Sequence, residues 1–174
     1  MSGTLIIPPA ALAPVGGCAS IVPGPAAPET AIVRNDGWWP DIELAALRKA
    51  IRIRDTVTTE RLREAVLGAM ITVGRDLDSW GEGKRAAGAA SLATVTGRAN
   101  VALDGEPRLV ILYRRAIGGY VKAELVEQYR DIDSTKASER DADALDQTPA
   151  ELRRNALYAI RDILERGRIA VELI

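Results

Sequence analysis

The chain has 174 residues, 47% of them hydrophobic, which is enough for one core in a single domain with appendages. Its 23 Lys and Arg against 24 Asp and Glu leave a net charge of −1, so the molecule as a whole exerts no pull on nucleic acid or an anionic membrane. Histidine is absent, which removes the usual general base, the Ser-His and Cys-His nucleophile pairs and the commonest metal ligand.

Cys18 is the only cysteine, so it has no internal disulfide partner and no histidine to activate it, in keeping with a reducing compartment. No apolar run approaches the roughly 20 residues that span a bilayer, and the N-terminus lacks the basic start of a secretory signal. A soluble protein made in the cytoplasm is expected. Phenylalanine is missing, and the aromatics are Trp38, Trp39, Trp80 and four tyrosines. The core must therefore rest on Leu, Ile, Val and Ala in closely packed helices.

Residues 1–37 carry six of the nine prolines and only Glu29, Arg34 and Asp36 as charges, a mixture that cannot sustain a helix and reads as an extended arm. Within it, Leu5-Ile6-Ile7, Ile21-Val22 and Ile32-Val33 are too apolar for a solvating linker and too short to fold alone. These patches either cover the protein's own core or reach a neighbouring subunit. After Trp38-Trp39-Pro40, Asp41 is placed to cap a first helix over 41–53 bearing Ile42, Leu44, Leu47 and Ile51. The paired tryptophans suit a hydrophobic lid at that helix start better than an exposed recognition hook.

A longer second helix starts near Thr58, with Glu60 in its first turn and Leu62, Val66, Ala69, Val73, Leu77 and Trp80 at steps of three or four. Its other faces, with Arg61, Glu64, Arg75, Asp78 and Glu82, look solvated. Residues 86–105 turn small and glycine-containing and read as a connection with little regular structure, ending at Asp104-Gly105. A third helix is expected to open at Glu106-Pro107 and to run through Tyr113 and Tyr120 to Tyr129. Gly118-Gly119 interrupts its pattern, which predicts either a close crossing by another helix or a bend there.

From Asp131 to Asp146 the periodicity disappears, and six carboxylates face only Lys136 and Arg140, the composition of a solvated loop. Thr148-Pro149-Ala150-Glu151 then forms a capping box with proline at the first helical position, opening a fourth helix that carries Leu152, Ala156, Ile160 and Ile163 and ends at Gly167. Residues 168–174 alternate partially, as a short terminal strand does. The fold class expected is mainly α: a small antiparallel bundle of about four helices (38–167) with an extended N-terminal arm (1–37) and a short C-terminal β-strand (168–174).

The motifs that suggest chemistry fail on spacing. Gly81-Glu82-Gly83-Lys84-Arg85 resembles part of a phosphate-binding loop, but Asp78 stands where the first glycine is needed and Arg85 where a Ser or Thr is. Counted from Asp131 as a calcium loop, Thr135, Lys136 and Ala142 occupy positions that need a ligand, a glycine and a bidentate carboxylate. No catalytic residue, cofactor site or metal site is assigned. A competing reading is a DNA-binding packaging accessory such as a small terminase subunit, with Arg153, Arg154, Arg161, Arg166 and Arg168 as a partly one-sided basic face.

Taken in order, several short blocks resemble the head completion, or head-tail connector, proteins of peduovirus-type contractile-tailed bacteriophages. They are Thr4-Leu5-Ile6-Ile7-Pro8, the paired aromatics with Pro40-Asp41-Ile42, Arg61-Leu62-Arg63-Glu64-Ala65 and Asp104-Gly105-Glu106. Tyr129-Arg130-Asp131-Ile132-Asp133, Ala142-Asp143-Ala144-Leu145-Asp146, Glu151-Leu152 and the segment Arg168 to Ile174 complete the series. Trp38-Trp39 stands where phenylalanines are usual, and the arm is enriched in Ala and Pro.

The resemblance implies a non-enzymatic virion protein at the head-tail junction, made in the host bacterial cytoplasm. It would bind the portal protein after packaging, retain the nearby DNA and offer the neck or tail-terminator protein a docking platform. By analogy it forms a homo-oligomeric ring, as a dodecamer, with no membrane partner. In that setting Arg168, Ile169, Val171, Leu173 and Ile174 are expected to dock on the portal or a neighbouring subunit. Leu5, Ile6, Ile7, Ile21 and Val22 are expected as arm contacts, and Asp131, Asp133, Asp141 and Asp143 as a segment facing the DNA channel or the tail.

Overall fold

A computed structural model describes residues 32–97, 100–132 and 147–167. In chain order these form β1 (Ile32–Val33), β2 (Ile42–Glu43), α1 (Leu44–Ile51), α2 (Thr59–Ala86), β3 (Ala102–Leu103), β4 (Glu106–Pro107), α3 (Arg108–Ile132) and α4 (Pro149–Ile163). The fold is mainly helical, with four helices and two two-stranded antiparallel sheets among the described residues.

The longest helix, α2, begins as its sequence dictates. The Thr58 hydroxyl accepts the Arg61 N–H, Glu60 sits in the first turn, and Lys84 and Arg85 occupy the last, each charge complementing the helix dipole. Leu62, Val66, Ala69, Val73 and Leu77 are buried along one stripe. At 28 residues the helix is about 42 Å long and spans the body.

Helix α3 packs against α2 on one side and α4 on another. Gly118 and Gly119 leave it unbroken, and each lets a neighbour in. A Cβ on Gly118 would lie 2.9 Å from Cγ2 of Ile51 in α1, and one on Gly119 would lie 3.0 Å from both the Leu152 carbonyl oxygen and the Ala156 Cβ of α4. Of the two expectations, close crossing is what the structure shows. As α4 is followed from Ala156 back to Arg153, its partner on α3 moves from Gly119 to Glu127, where Arg153 forms a two-pronged ion pair. The two helices are therefore antiparallel.

Helix α4 opens on the expected capping box. Glu151 N–H donates to the Thr148 hydroxyl, and the Thr148 N–H and hydroxyl both donate to the Glu151 carboxylate, holding that carboxyl below its ordinary range. The helix ends at Ile163, short of Gly167. Its reversal is made by Glu165 at φ 55°, with the Arg166 N–H donating to the Arg161 carbonyl.

Three other boundaries differ from expectation. Helix α1 is shorter than 41–53 because Ile42 and Glu43 pair with Val33 and Ile32. Asp41 does not cap it; its carboxylate accepts the Asn35 N–H at 2.8 Å. Val33, grouped with the arm by composition, is only 1% exposed and packs on the protein's own core, while Ile32 beside it is exposed.

The connection before α3 is more regular than its composition suggests. Leu92–Thr94 form a 3-10 turn, and Asp104 and Gly105, at φ 52° and 77°, make the two-residue turn of a hairpin that pairs Leu103 with Glu106 and Ala102 with Pro107. Glu106 and Pro107 are thus strand, and α3 starts at Arg108. Asn100 joins the pieces: its carbonyl oxygen accepts the Leu109 N–H at the start of α3, while its amide donates to the Ala93 and Val95 carbonyls.

The crossing predicts opposite effects at two helical glycines. Gly119→Val should lower unfolding free energy by about 1–3 kcal/mol, because the added methyls press on the α4 backbone. Gly74→Ala in α2, where a Cβ meets nothing within 4 Å, should raise it by roughly 0.5–1 kcal/mol. Urea unfolding of both variants measures this.

Candidate interaction surfaces

The expected contact residues fall mostly beyond the described parts of the chain. Leu5, Ile6, Ile7, Ile21 and Val22, then Asp133, Asp141 and Asp143, then Arg168, Ile169, Val171, Leu173 and Ile174 all lie outside the described residues. Asp131 lies on the last turn of α3. What the described residues do assemble is an aromatic node, built on the Trp38-Trp39 pair, and two charged grooves that no local motif encodes.

The node fixes the N-terminal part of the body to α2 and α3. One carboxylate oxygen of Asp36 accepts the N–H groups of both Trp38 and Trp39, at 2.9 and 3.0 Å, which turns the chain so that both rings point inward. Trp38 and Trp39 meet edge to face at 4.6 Å, and Trp39 stacks on Tyr113 of α3 at 5.1 Å. Trp39 also presses on Gly81, whose hypothetical Cβ would lie 3.0 Å from the indole. The tryptophans are a lid, as expected, but on the seam between α2 and α3 and not on the start of α1.

This explains why the Gly81–Lys84 run carries no phosphate loop: it is helix, and its first glycine makes room for an indole. Lys84 and Arg85 lie over the Trp80 and Trp38 rings, and Arg85 pairs with Asp36 and Glu82. The Tyr113 hydroxyl receives a hydrogen bond from the Asn35 amide at 2.9 Å. Burial raises its pKa to about 12; the Asn35 hydrogen bond opposes that rise and the charge of Asp36 adds to it.

The first groove runs between α1, α3 and α4, with a volume of about 650 Å³. Leu47, Ile51, Gly118, Gly119 and Leu152 form an apolar floor. Arg52, Arg114, Arg115 and Lys122 stand around it against Asp41 and Glu43, so the rim is positive. Arg114 is paired with Glu106, while Arg52 and Arg115 are exposed. Arg52 ends α1 in a left-handed conformation, at φ 53°, which turns the chain away and leaves its side chain at the groove mouth.

The second groove, also of about 650 Å³, lies between the start of α2 and the later part of α3. Glu60, Glu64 and Glu124 line it against Arg61, so it is negative. Arg115 and Glu124 are roughly two and a half turns apart on α3, and the two grooves therefore occupy opposite sides of that helix. In the sequence Glu64 and Arg61 belong to an ordinary solvated face, because Glu124 joins them only through the α2–α3 packing.

The basic face suggested for α4 is interrupted: Arg153 is paired with Glu127, whereas Arg154 is exposed and Arg168 lies outside the described residues. Among the described residues no group of three His, Cys, Asp or Glu is placed to hold a metal, and no helix is long and apolar enough to cross a membrane.

The chain belongs to the phage head completion protein (GPL) family, which matches residues 33–174. A head completion/stabilization protein of Escherichia phage P2 is 36% identical over 172 residues, covering 98% of this chain and 99% of that relative. No solved structure matches.

The node carries a pH signature. Below pH 10 Tyr113 is neutral in both folded and unfolded chains and its contribution is complete. As pH rises from 10 towards 12 the unfolded chain ionises first, so stability falls across that window, on the order of 2–3 kcal/mol. Tyr113→Phe should remove that part of the alkaline loss; urea unfolding of both chains at pH 9 and pH 11 compares them.

Proposed function

We propose that this protein closes the DNA-filled head of a tailed phage: it joins the portal vertex after packaging, as a ring of like subunits, retains the genome and presents the docking platform for neck and tail. The observation that carries this reading is the end-to-end relatedness, at 36% identity, to a protein of phage P2 named for head completion and stabilization. A dodecamer is the ring size by analogy with connectors in general. Its place in the virion is the head-tail junction.

The physics supports a role in assembly. Among the described residues the core is built of hydrophobic side chains, and the Tyr113 hydroxyl within it is bonded to Asn35. Charged groups converge at the surface, in the two grooves and around the Asp36–Arg85 pair. A ring requires each subunit to present two different faces, and this body has them.

On this reading the C-terminal segment, through Arg168, Ile169, Val171, Leu173 and Ile174, docks on the portal or an adjacent subunit by adding a strand to an open sheet edge. The arm, through Leu5, Ile6, Ile7, Ile21 and Val22, makes further subunit contacts. The acidic residues Asp131, Asp133, Asp141 and Asp143 face the DNA channel or the tail, where like charge keeps duplex from adhering.

Packaged heads assembled without this protein should lose their DNA to added nuclease, and the purified full chain should restore protection. Unchanged nuclease resistance in its absence would overturn the closure role. A chain truncated after Gly167 should keep its helical circular dichroism but join such heads at least tenfold less well; undiminished joining would remove the C-terminal segment from the contact.

A further inference from the structure

We infer that the two grooves are the two halves of one subunit contact, the acidic groove of one copy seating against the basic groove of the next. The inference rests on the ring reading above and specifies the surfaces that make the ring. It starts from the sign and placement of the charges. Glu60, Glu64 and Glu124 stand on one side of α3, and Arg52, Arg115 and Lys122 on the other.

Glu60, Glu64, Arg52 and Arg115 are exposed. Carboxylates outnumber Arg61 in the acidic groove and cations outnumber Asp41 and Glu43 in the basic one, so each presents a solvent-facing excess of one sign, and the surface complementary to it exists on another copy of the same chain. The charge balance fits as well. A molecule of net charge −1 does not repel its copies at long range, so local opposite fields can orient them.

The placement favours a repeating contact over a closed pair. A two-fold dimer brings one patch against itself, which here sets carboxylate against carboxylate or guanidinium against guanidinium. A head-to-tail contact brings unlike patches together and leaves one of each free for the next copy, as a ring demands. The apolar floor of the basic groove, Leu47, Ile51 and Leu152, suits a protein surface better than duplex phosphates, which would meet hydrocarbon between the arginines.

Two full-length variants test this. Glu60→Arg with Glu64→Arg makes both grooves positive, and Arg52→Glu with Arg115→Glu makes both negative. Self-association is read by light scattering and by an amine-directed cross-linker, which acts on lysines that none of the changes touch. The wild type should give a ladder of species, weakening as salt rises.

Each variant alone should associate at least tenfold more weakly, and an equimolar mixture of the two should recover the ladder, because every contact then again joins unlike charges. Recovery on mixing also shows that both variants are folded. A wild type that forms the ladder alongside variants that form it equally well overturns the groove pairing and leaves the ring reading standing. A wild type that forms no ladder, either free or on portal-bearing heads, overturns both. Loss of duplex DNA binding by the Arg52→Glu, Arg115→Glu variant with its ladder intact would make the basic groove a DNA site and overturn the pairing.

Discussion

How closely α3 lets its neighbours approach at Gly118 and Gly119 governs the shape of the helical body. Two glycines inside a helix cost about 1 kcal/mol each in propensity relative to alanine. That cost is offset by packing, since Ile51 of α1 and the backbone of α4 occupy the space that two methyl groups would take. The same approach sets α1 and α4 on either side of a shared floor, so the basic groove follows directly from the crossing. A wider spacing would leave a gap in the core and remove the wall that Leu152 gives the groove.

The aromatic node does for α2 what the glycines do for α4. Asp36 turns the chain, the indole of Trp39 enters the seam between Gly81 and Tyr113, and Arg85 returns to pair with Asp36. The Trp38 indole N–H donates to the Ala89 carbonyl and the Trp38 carbonyl accepts the Leu92 N–H, which ties the connection after α2 to the same point. A chain with no phenylalanine thus spends its three tryptophans at one place, where loop, helix and connection meet.

What was legible in the sequence was whatever a single segment encodes alone. The stripe from Leu62 to Leu77, the Thr148–Glu151 capping box and the Gly118-Gly119 crossing are local signals, and each is found in the structure. Strands of two residues are too short for alternation to register, so Ile42-Glu43 and Glu106-Pro107 read as helix starts until Val33 and Leu103 supplied partners. Asp104-Gly105 is a hairpin signal in its own right, masked by the small, glycine-containing segment that it ends. The grooves were invisible for a stronger reason: one gathers residues from 41 to 155 and the other from 58 to 128, and only the packing of α3 brings them together.

The chain belongs to a head completion family. The core holds the helices, and α3 separates two grooves of opposite net charge. The most direct measurement is a cryo-electron microscopy reconstruction of the portal vertex in DNA-filled heads. The expected result is a closed ring of this chain at the portal, with Glu60 and Glu64 of each copy facing Arg52 and Arg115 of the next. Filled heads that hold the chain as isolated copies away from the portal, or do not hold it at all, would contradict it.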